Sequence, residues 1–350
     1  MTTTSPGRAF GLLRHAAARV FACVFVCLLA HQAVQAQPAA PDVKRLRLMT
    51  TSDVQIGGPW FVAAGKDFFK AEGFENVEIV QYPSAPPAFP AFITDDIQAM
   101  AVADQPMFAL AAGGQPLSVF GIYSDMTGLH GLIGSAAVKT AKDLEGKNVA
   151  LPKGSVLEFY LRRFCEAYGC DLSKVKVINM SAPEAVTALV AGSVDAAALW
   201  QPFIDRAIAG KPELHMLHYQ NVSRMPHAEG PKRLHNATAV LFTKQAFAKE
   251  HPSTVDALLR VLDRSMKYMA QNPKDAAALM AKALKIEPDT ALRYEEAVRF
   301  GFNYTPQNLG ELQSTANRLA EEKLIKRDVN FEREMLDPRP YRQLGATAAR

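Results

Sequence analysis

The sequence lacks the short motifs that mark the common enzyme classes. Its 350 residues contain no GxSxG nucleophile elbow, no Walker A loop, no HExxH zinc helix and no GxGxxG dinucleotide loop. It also lacks an apolar run of the ~20 residues that a membrane-spanning helix needs. These absences argue against an enzyme with a bound cofactor and against an integral membrane protein. We therefore predict no catalytic residues and no cofactor.

Excess charge of either sign is also scarce. The formal net charge is +4, and three arginines before position 36 account for most of it. The rest of the chain is close to neutral, so its charge does not favour binding to nucleic acid or to an anionic membrane surface.

The N-terminal segment has the pattern of an export signal. Its arginines have no acidic neighbours, the apolar run Val20–Ala30 is too short to span a bilayer, and Val34–Ala36 fits a small-residue cleavage site. We predict a signal peptide over residues 1–36, cleavage after Ala36 and a periplasmic mature protein. A lipid anchor at Cys27 is the alternative, although the residues before it are bulky where small ones are preferred.

Cysteine is limited to four residues, and Cys23 and Cys27 would leave with the signal peptide. Cys165 and Cys170 remain, in an exported and therefore oxidising setting. A predicted helix ends at Gly169, and a turn there could bring the two thiols together. A disulfide and two separate thiols both stay open, because sequence does not give the distance between the Cα atoms.

The histidines do not predict a metal site. His215 and His218 are three residues apart on a predicted strand, where such positions face opposite sides, so they would not converge with His227 and His235. Ser155, which precedes a predicted helix, has no evident base partner in the sequence and is interpreted as a helix cap rather than as a nucleophile.

Short apolar strands alternate with Ala-rich helices, which predicts an α/β protein. The clearest unit is residues 181–202. Ser181 and Glu184 form a capping box, the helix ends at a glycine, and an apolar strand leads to Trp200 and Gln201. Ligands of open α/β sheets bind beyond the carboxyl ends of strands, so these last two residues are predicted to lie at a binding site.

The same pattern occurs earlier in the chain. Residues 91–106, AFITDDIQAMAVADQP, align with residues 188–202, ALVAGSVDAAALWQP, when one residue is dropped. Each segment reads as helix, tight turn, apolar strand, Gln-Pro and a second helix. The alignment predicts two lobes of similar construction that present Gln105 and Gln201 at strand ends. Chance similarity between Ala-rich segments is the alternative.

Four segments carry a resemblance to one protein family. They read FVAAGKDFFKAEGFENVEIV, DLEGKNVALPKGS, LSKVKVINMSAPEAVTALVAGSVDAAALWQPF and HPSTVDALLRVL. The chain resembles the nitrate/sulfonate/taurine-type solute-binding proteins of bacterial ABC importers, and is also similar to their thiamine-pyrimidine-binding relatives. The resemblance implies an α/β type II periplasmic-binding-protein fold, with two lobes of mixed sheets, two crossover segments and a helical C-terminal tail. Lobe 1 would hold residues 43–128 plus 237–350, and lobe 2 residues 129–236.

The resemblance also implies where a ligand would bind. The family holds its ligand between the lobes, on loops at strand ends and near the crossovers. The residues that correspond here, and that we predict to contact ligand, are Gln55, Trp60, Asp104, Gln105, Ser155, Trp200, Gln201 and Asn236, with His235 nearby. Trp60 and Trp200 are the only two tryptophans in the chain, and either could stack on a flat ligand or pack structurally.

Two positions depart from the family pattern. Small residues are common in the family where this chain has Asp104 and Gln105, and Glu is common where it has Gln201. A bare anion such as nitrate would be disfavoured beside Asp104. A ligand with an amine, amide or heteroaromatic ring is easier to accommodate.

These features predict a monomeric periplasmic protein that closes its lobes around a small organic molecule, whether sulfonate-like, carboxylate or heteroaromatic. The protein would deliver this ligand to an ABC permease and ATPase complex in the inner membrane. No nucleic acid, metal or other cofactor is expected. The alternatives are an enzyme on the same fold, similar to a pyrimidine synthase, and a ligand-sensing subunit of a membrane receptor.

Overall fold

The computed structural model describes Thr2, residues 38–228 and residues 232–339. Apart from Thr2, the predicted signal peptide lies outside the described residues, as do its cleavage site and the alternative anchor at Cys27. None of the described helices is both long and apolar enough to cross a membrane.

The described strands form two mixed sheets of six strands each. In chain order the strands are β1 (Arg45–Thr51), β2 (Asn76–Tyr82), β3 (Ala99–Ala103), β4 (Leu117–Asp125), β5 (His130–Gly134), β6 (Asn148–Leu151), β7 (Lys176–Asn179), β8 (Ala196–Trp200), β9 (His215–Tyr219), β10 (Val222–Ser223), β11 (Thr238–Lys244) and β12 (Arg299–Phe300). The spatial order is β12–β4–β11–β3–β1–β2 in the first sheet and β10–β9–β5–β8–β6–β7 in the second.

Helices cover both sheets and make up most of the C-terminal part of the described chain. They are α1 (Val54–Gly65), α2 (Phe68–Ala71), α3 (Phe89–Ile93), α4 (Asp104–Ala112), α5 (Val156–Tyr168), α6 (Ala182–Ala191), α7 (Phe203–Gly210), α8 (Gln245–Glu250), α9 (Pro252–Gln271), α10 (Pro273–Leu284), α11 (Pro288–Glu296), α12 (Pro306–Glu321) and α13 (Phe331–Glu334). The predicted α/β fold with two mixed sheets and a helical C-terminal region is confirmed.

The two sheets repeat one topology. In the first sheet β1 is parallel to β2 and β3, and in the second β6 is parallel to β7 and β8. An antiparallel strand that arrives from the other sheet, β11 or β5, then pairs with β3 or β8. The ends of β3 and β8 are therefore equivalent positions, as the alignment of residues 91–106 with residues 188–202 predicts. Residues 126–129 are called the first crossing below, and the described residues 224–228 and 232–237 the second crossing.

Helix α1 begins earlier than the sequence suggests. Pro59 predicts a helix start at that residue, but the helix starts at Val54 and includes Pro59. A proline inside a helix has no N–H for the carbonyl four residues before it. That carbonyl belongs to Gln55 and accepts a hydrogen bond from the Ser124 hydroxyl at 2.9 Å instead, so a strand of the sheet satisfies the group that Pro59 leaves open.

Helix α5 has defined ends. Ser155 caps its start by accepting a hydrogen bond from the Leu157 N–H at 3.2 Å, and Gly169 ends it with a φ of 82°. The left-handed turn at Gly169 brings Cys170 back to Cys165, with 4.4 Å between the Cα atoms, and the two form a disulfide. The structure thus decides between the two possibilities that the sequence leaves open.

The main apolar core runs through both sheets, and a smaller one lies under the C-terminal helices. In the smaller core, Val54 and Phe61 of α1 pack with Met280 of α10 and Tyr294 of α11. These C-terminal helices therefore belong with the first sheet, and they fix the helix that follows β1.

Candidate ligand site between the two sheets

A narrow cavity lies between the sheets, beyond the carboxyl ends of their parallel strands. Both sheets contribute to its walls. The lining is formed by Thr51, Asp53, Gln55, Ile56, Ser84, Ala85, Ala103, Pro106, Met126, His130, Ser155, Val156 and Trp200. Ligand sites of α/β proteins with this strand arrangement occupy this position.

Asp53 brings a carboxylate to the cavity. It follows β1 and caps α1, because its Oδ1 accepts a hydrogen bond from the Ile56 N–H at 2.8 Å. The residue is 1% exposed, and burial raises the pKa of its carboxyl to about 6. Among the described residues no cationic side chain pairs with it, and none of the lining residues is Lys or Arg. At neutral pH the cavity therefore holds a buried negative charge without a counter-charge.

His130 contributes an uncharged imidazole. Burial lowers the pKa of His130 to about 3, so the ring is neutral at physiological pH. Its Nδ1 lies 3.0 Å from Nε2 of His235, and one of these two nitrogens donates a hydrogen bond to the other. His130 stands where the first crossing enters β5, and His235 belongs to the second crossing. The pair joins the two crossings directly behind the cavity.

Three of the predicted contact residues, Gln55, Ser155 and Trp200, line the cavity. The Gln55 Oε1 is buried and accepts no hydrogen bond from the described residues. The Ser155 hydroxyl donates to the Pro152 carbonyl at 2.6 Å. Trp200 ends β8 and pairs there with His130 of β5. The cavity thus combines a carboxylate, an amide oxygen, hydroxyls, a neutral imidazole and an indole.

Trp60 lies in the core and not at the cavity, which corrects the prediction that it contacts ligand. Because α1 starts at Val54, Trp60 falls in its second turn and points toward the sheet. It is fully buried, its ring lies 6.4 Å from that of Phe69, and its indole N–H donates to the Tyr123 hydroxyl at 3.3 Å. Structural packing is therefore the correct interpretation of this tryptophan.

Asp104, Gln105 and Asn236 lie beside the cavity rather than in its lining. The Asp104 Oδ1 accepts a long hydrogen bond of 3.4 Å from the Thr238 N–H, and burial raises the pKa of this carboxyl to about 7. The Gln105 amide donates to the Asn236 carbonyl at 3.0 Å. Gln105 thus fastens the end of β3 to the second crossing, and Asp104 fastens it to the start of β11. Asn236 itself lines a separate cavity, which also includes His235.

Gln201 also turns away from the cavity. Its amide N–H group donates to Asp205 Oδ1 at 2.7 Å and to the Tyr219 hydroxyl at 3.2 Å. Asp205 Oδ2 in turn accepts a hydrogen bond from the Tyr294 hydroxyl at 2.7 Å and forms an ion pair with Arg293. Asp205 lies on α7 over the second sheet, whereas Tyr294 lies on α11 and packs with α1. Gln201 thus holds a carboxylate that bridges the two halves of the molecule.

Ser84, Met126 and His130 also line the cavity, although the sequence patterns do not predict them there. Ser84 lies in an irregular Pro-rich stretch that has no pattern to interpret. Met126 and His130 flank the first crossing, and a search for polar residues at both crossings, not only the second, would have found His130.

His215 and His218, the histidine pair that the sequence places three residues apart, have other partners in the described part of the chain. No three His, Cys, Asp or Glu side chains there are placed to hold a metal ion. His215 contacts the Val138 carbonyl through Nε2 at 2.6 Å, and His218 contacts the Tyr160 hydroxyl through Nδ1 at 2.7 Å.

Two mixed sheets with a cavity between them define the periplasmic-binding-protein fold. The alkanesulfonate-binding protein of Xanthomonas axonopodis pv. citri, solved with MOPS bound, matches with a TM-score of 0.69. The match covers 83% of this chain and 96% of that protein at 19% sequence identity, which shows a common fold.

Sequence comparison places the chain in a family. The NMT1/THI5-like family model matches residues 57–276, and the chain belongs to that family. A putative aliphatic sulfonates-binding protein of Bacillus subtilis (strain 168) is 26% identical, over 70% of this chain and 72% of its own length. The taurine-binding periplasmic protein of Escherichia coli (strain K12) is 24% identical, over 61% of this chain and 64% of its own length. The predicted resemblance to solute-binding proteins is confirmed.

Proposed function

We propose that this protein is the periplasmic solute-binding component of an ABC importer. It captures a small organic molecule and delivers it to a permease and ATPase complex in the inner membrane. The observation that carries the proposal is the cavity between the sheets, which takes its walls from the strand ends of both. The sulfonate- and taurine-binding relatives support the same class of function. Capture and delivery need no catalytic residue.

In this proposal the ligand closes lobe 1 (residues 43–128 plus 237–350) against lobe 2 (residues 129–236). A ligand that contacts both lobes favours the closed population, because the open form loses the contacts of one side. From the sequence-based set we retain Gln55, Ser155 and Trp200 as ligand contacts, and from the structure we add Asp53 and His130. The protein acts as a monomer.

Purification from the native host without denaturation tests the proposal. Native mass spectrometry should detect a retained molecule of low mass. Removing that molecule by unfolding and refolding should increase the radius of gyration in small-angle X-ray scattering, and adding it back should restore the smaller value. A protein that neither retains nor is compacted by any molecule of a host extract would contradict the proposal. Chemical conversion of the retained molecule would favour an enzyme instead.

A further inference from the structure

We infer that the ligand is a nitrogen-bearing molecule, neutral or positively charged, which donates N–H hydrogen bonds to Asp53, and that it is not a simple sulfonate or carboxylate. The inference rests on the proposed function and specifies the ligand of the same cavity.

The first argument is the charge balance of the lining. Asp53 is ionised at neutral pH and His130 is neutral, so the lining carries a net negative charge. A buried charge is stable only when it is paired or fully hydrogen-bonded. An anionic ligand would add a second negative charge at close range in a poorly solvated space, where repulsion is weakly screened. An N–H donor adds a hydrogen bond to the one that the Asp53 carboxylate accepts from the Ile56 N–H, and a cationic donor also supplies the counter-charge that the lining lacks.

The second argument concerns the helices that begin at the cavity. A site without cationic side chains can hold an anion on free N–H groups at a helix N-terminus. In α1 the Ile56 N–H donates to Asp53, so the Asp53 carboxylate already occupies the anion-binding position at this helix start. At α5 the Leu157 N–H donates to Ser155, and the Gly154 N–H donates to Glu158 Oε2 at 2.8 Å. These three N–H groups at the two helix starts are therefore already satisfied by the protein's own acceptors.

The third argument is the set of remaining acceptors. The Gln55 Oε1 is buried and has no donor among the described residues, and it comes from the same turn of α1 that Asp53 caps. An N–H-bearing group between the two would satisfy both. On the opposite wall, Trp200 offers an aromatic surface, which attracts cations and stacks on flat rings.

A matched ligand series tests the charge preference. Differential scanning fluorimetry would compare benzylamine, benzamidine and benzamide with phenylmethanesulfonate and benzoate at constant ionic strength. All five carry one phenyl ring and differ in the polar group. We expect a concentration-dependent rise in Tm with at least one of the three nitrogen compounds and none with the two anions. A rise with either anion, or with none of the nitrogen compounds, would overturn the inference.

Variants assign the effect to Asp53. Asp53→Asn keeps a side chain that caps a helix start but removes the charge. It should weaken binding of the effective nitrogen compound at least tenfold in isothermal titration calorimetry. Asp53→Ser, a second capping residue, should do the same. The control is Asp143→Asn, which alters a surface carboxylate that also accepts backbone N–H groups, those of Lys139 and Thr140. The inference fails if affinity is unchanged in both Asp53 variants.

These outcomes separate the two proposals. Binding of an anion would overturn the inference about ligand charge and leave the solute-binding function intact. Failure of the solute-binding function would appear instead in the native mass spectrum and the scattering data, as a protein without any retained or compacting molecule.

Discussion

The ends of β3 and β8 occupy equivalent positions in the two sheets but contribute differently to the cavity. β8 ends at Trp200, whose side chain lines the cavity. The aligned residue after β3 is Asp104, which accepts a hydrogen bond from the Thr238 N–H and does not line the cavity. The residues that follow, Gln105 and Gln201, both turn to other partners. The repeated topology therefore provides two equivalent positions at the strand ends. The identity of the side chain at each position determines whether it lines the cavity.

The two walls also differ in chemistry. The first-sheet side supplies the Asp53 carboxylate and the Gln55 amide, and the second-sheet side supplies the Trp200 indole, the His130 imidazole and the Ser155 hydroxyl. A ligand that satisfies both walls must combine hydrogen-bond donors on one side with a flat or apolar surface on the other. Such a ligand holds the two lobes together because neither wall binds it completely.

The largest expected effect distinguishes the two tryptophans. Trp60→Ala removes a fully buried ring and should lower the free energy of unfolding by about 3–5 kcal/mol. Trp200→Ala should cost less stability but weaken ligand affinity about tenfold or more, since stacking and cation–π contacts contribute about 1–2 kcal/mol. Chemical denaturation and calorimetry measure both. If Trp60→Phe, a milder core change, lost ligand affinity as strongly as Trp200→Ala, the comparison of the two tryptophans would be wrong.

The second prediction concerns how much the buried Asp53 charge lowers the free energy of unfolding. Its pKa rises from 3.8 to about 6 on folding, so the contribution of Asp53 to the free energy of unfolding should fall by about 3 kcal/mol as pH rises from 4 to above 6. Other buried groups also change protonation on unfolding in this window, because burial lowers the pKa of His130 to about 3 and raises that of Asp104 to about 7. The effect of Asp53 is therefore measured as the difference between the wild type and Asp53→Asn.

Asp53→Asn cannot ionise and keeps the cap. It should therefore be more stable than the wild type at pH 7.5 and similar at pH 4, as measured by urea unfolding at both pH values. An Asp53→Asn protein that is less stable than the wild type at pH 7.5 would show that the carboxylate is already paired.

The third prediction concerns a disulfide. Among the described residues, only the half of the molecule with the second sheet has one. The disulfide between Cys165 and Cys170 closes a short loop at the end of α5. Its removal in a Cys165→Ser, Cys170→Ser variant should reduce the free energy of unfolding by about 2 kcal/mol, the loop-entropy value for such a short loop. The wild type treated with a reductant should show the same loss in urea. An unchanged midpoint in both experiments would contradict the bond.

The fourth and smallest effect concerns the contact between the halves. Tyr294→Phe removes the hydrogen bond to Asp205 and should cost about 1 kcal/mol. Because this bond joins α11 to α7, its loss should also favour the open form and weaken ligand binding a few-fold. Tyr268→Phe is the matched control, since its hydroxyl donates to Asp275 within the C-terminal helices. Equal ligand affinities in the two variants would show that the Tyr294 contact does not favour closure.

The parts of the structure set by local patterns could be predicted from the sequence, and those set by long-range contacts could not. The capping box at Ser181, the glycine helix ends and the strand before Trp200 follow from neighbouring residues, and they suffice for the fold. The start of α1 does not, because the Gln55 carbonyl that Pro59 leaves without a helical donor is satisfied by the Ser124 hydroxyl, 69 residues away. The earlier helix start places Trp60 in the second turn of α1 and in the core.

The same distinction holds for the site. Ser155 and Trp200 lie where a local helix start and a strand end place them. His130 depends on its pairing with His235, 105 residues away, and Gln201 depends on Asp205 and Tyr219. Sequence patterns therefore do not predict whether such a side chain faces the cavity or bonds to a neighbouring helix or strand.

Fluorescence of single-tryptophan variants tests the central claim most directly, because the chain has only two tryptophans. Trp60→Phe leaves Trp200 as the sole reporter, and Trp200→Phe leaves Trp60. On titration with the molecule retained by the purified protein, the Trp60→Phe variant should show a saturable change in emission while the Trp200→Phe variant stays nearly constant. A saturable change from Trp60 with none from Trp200 would contradict the placement of the ligand between the two sheets.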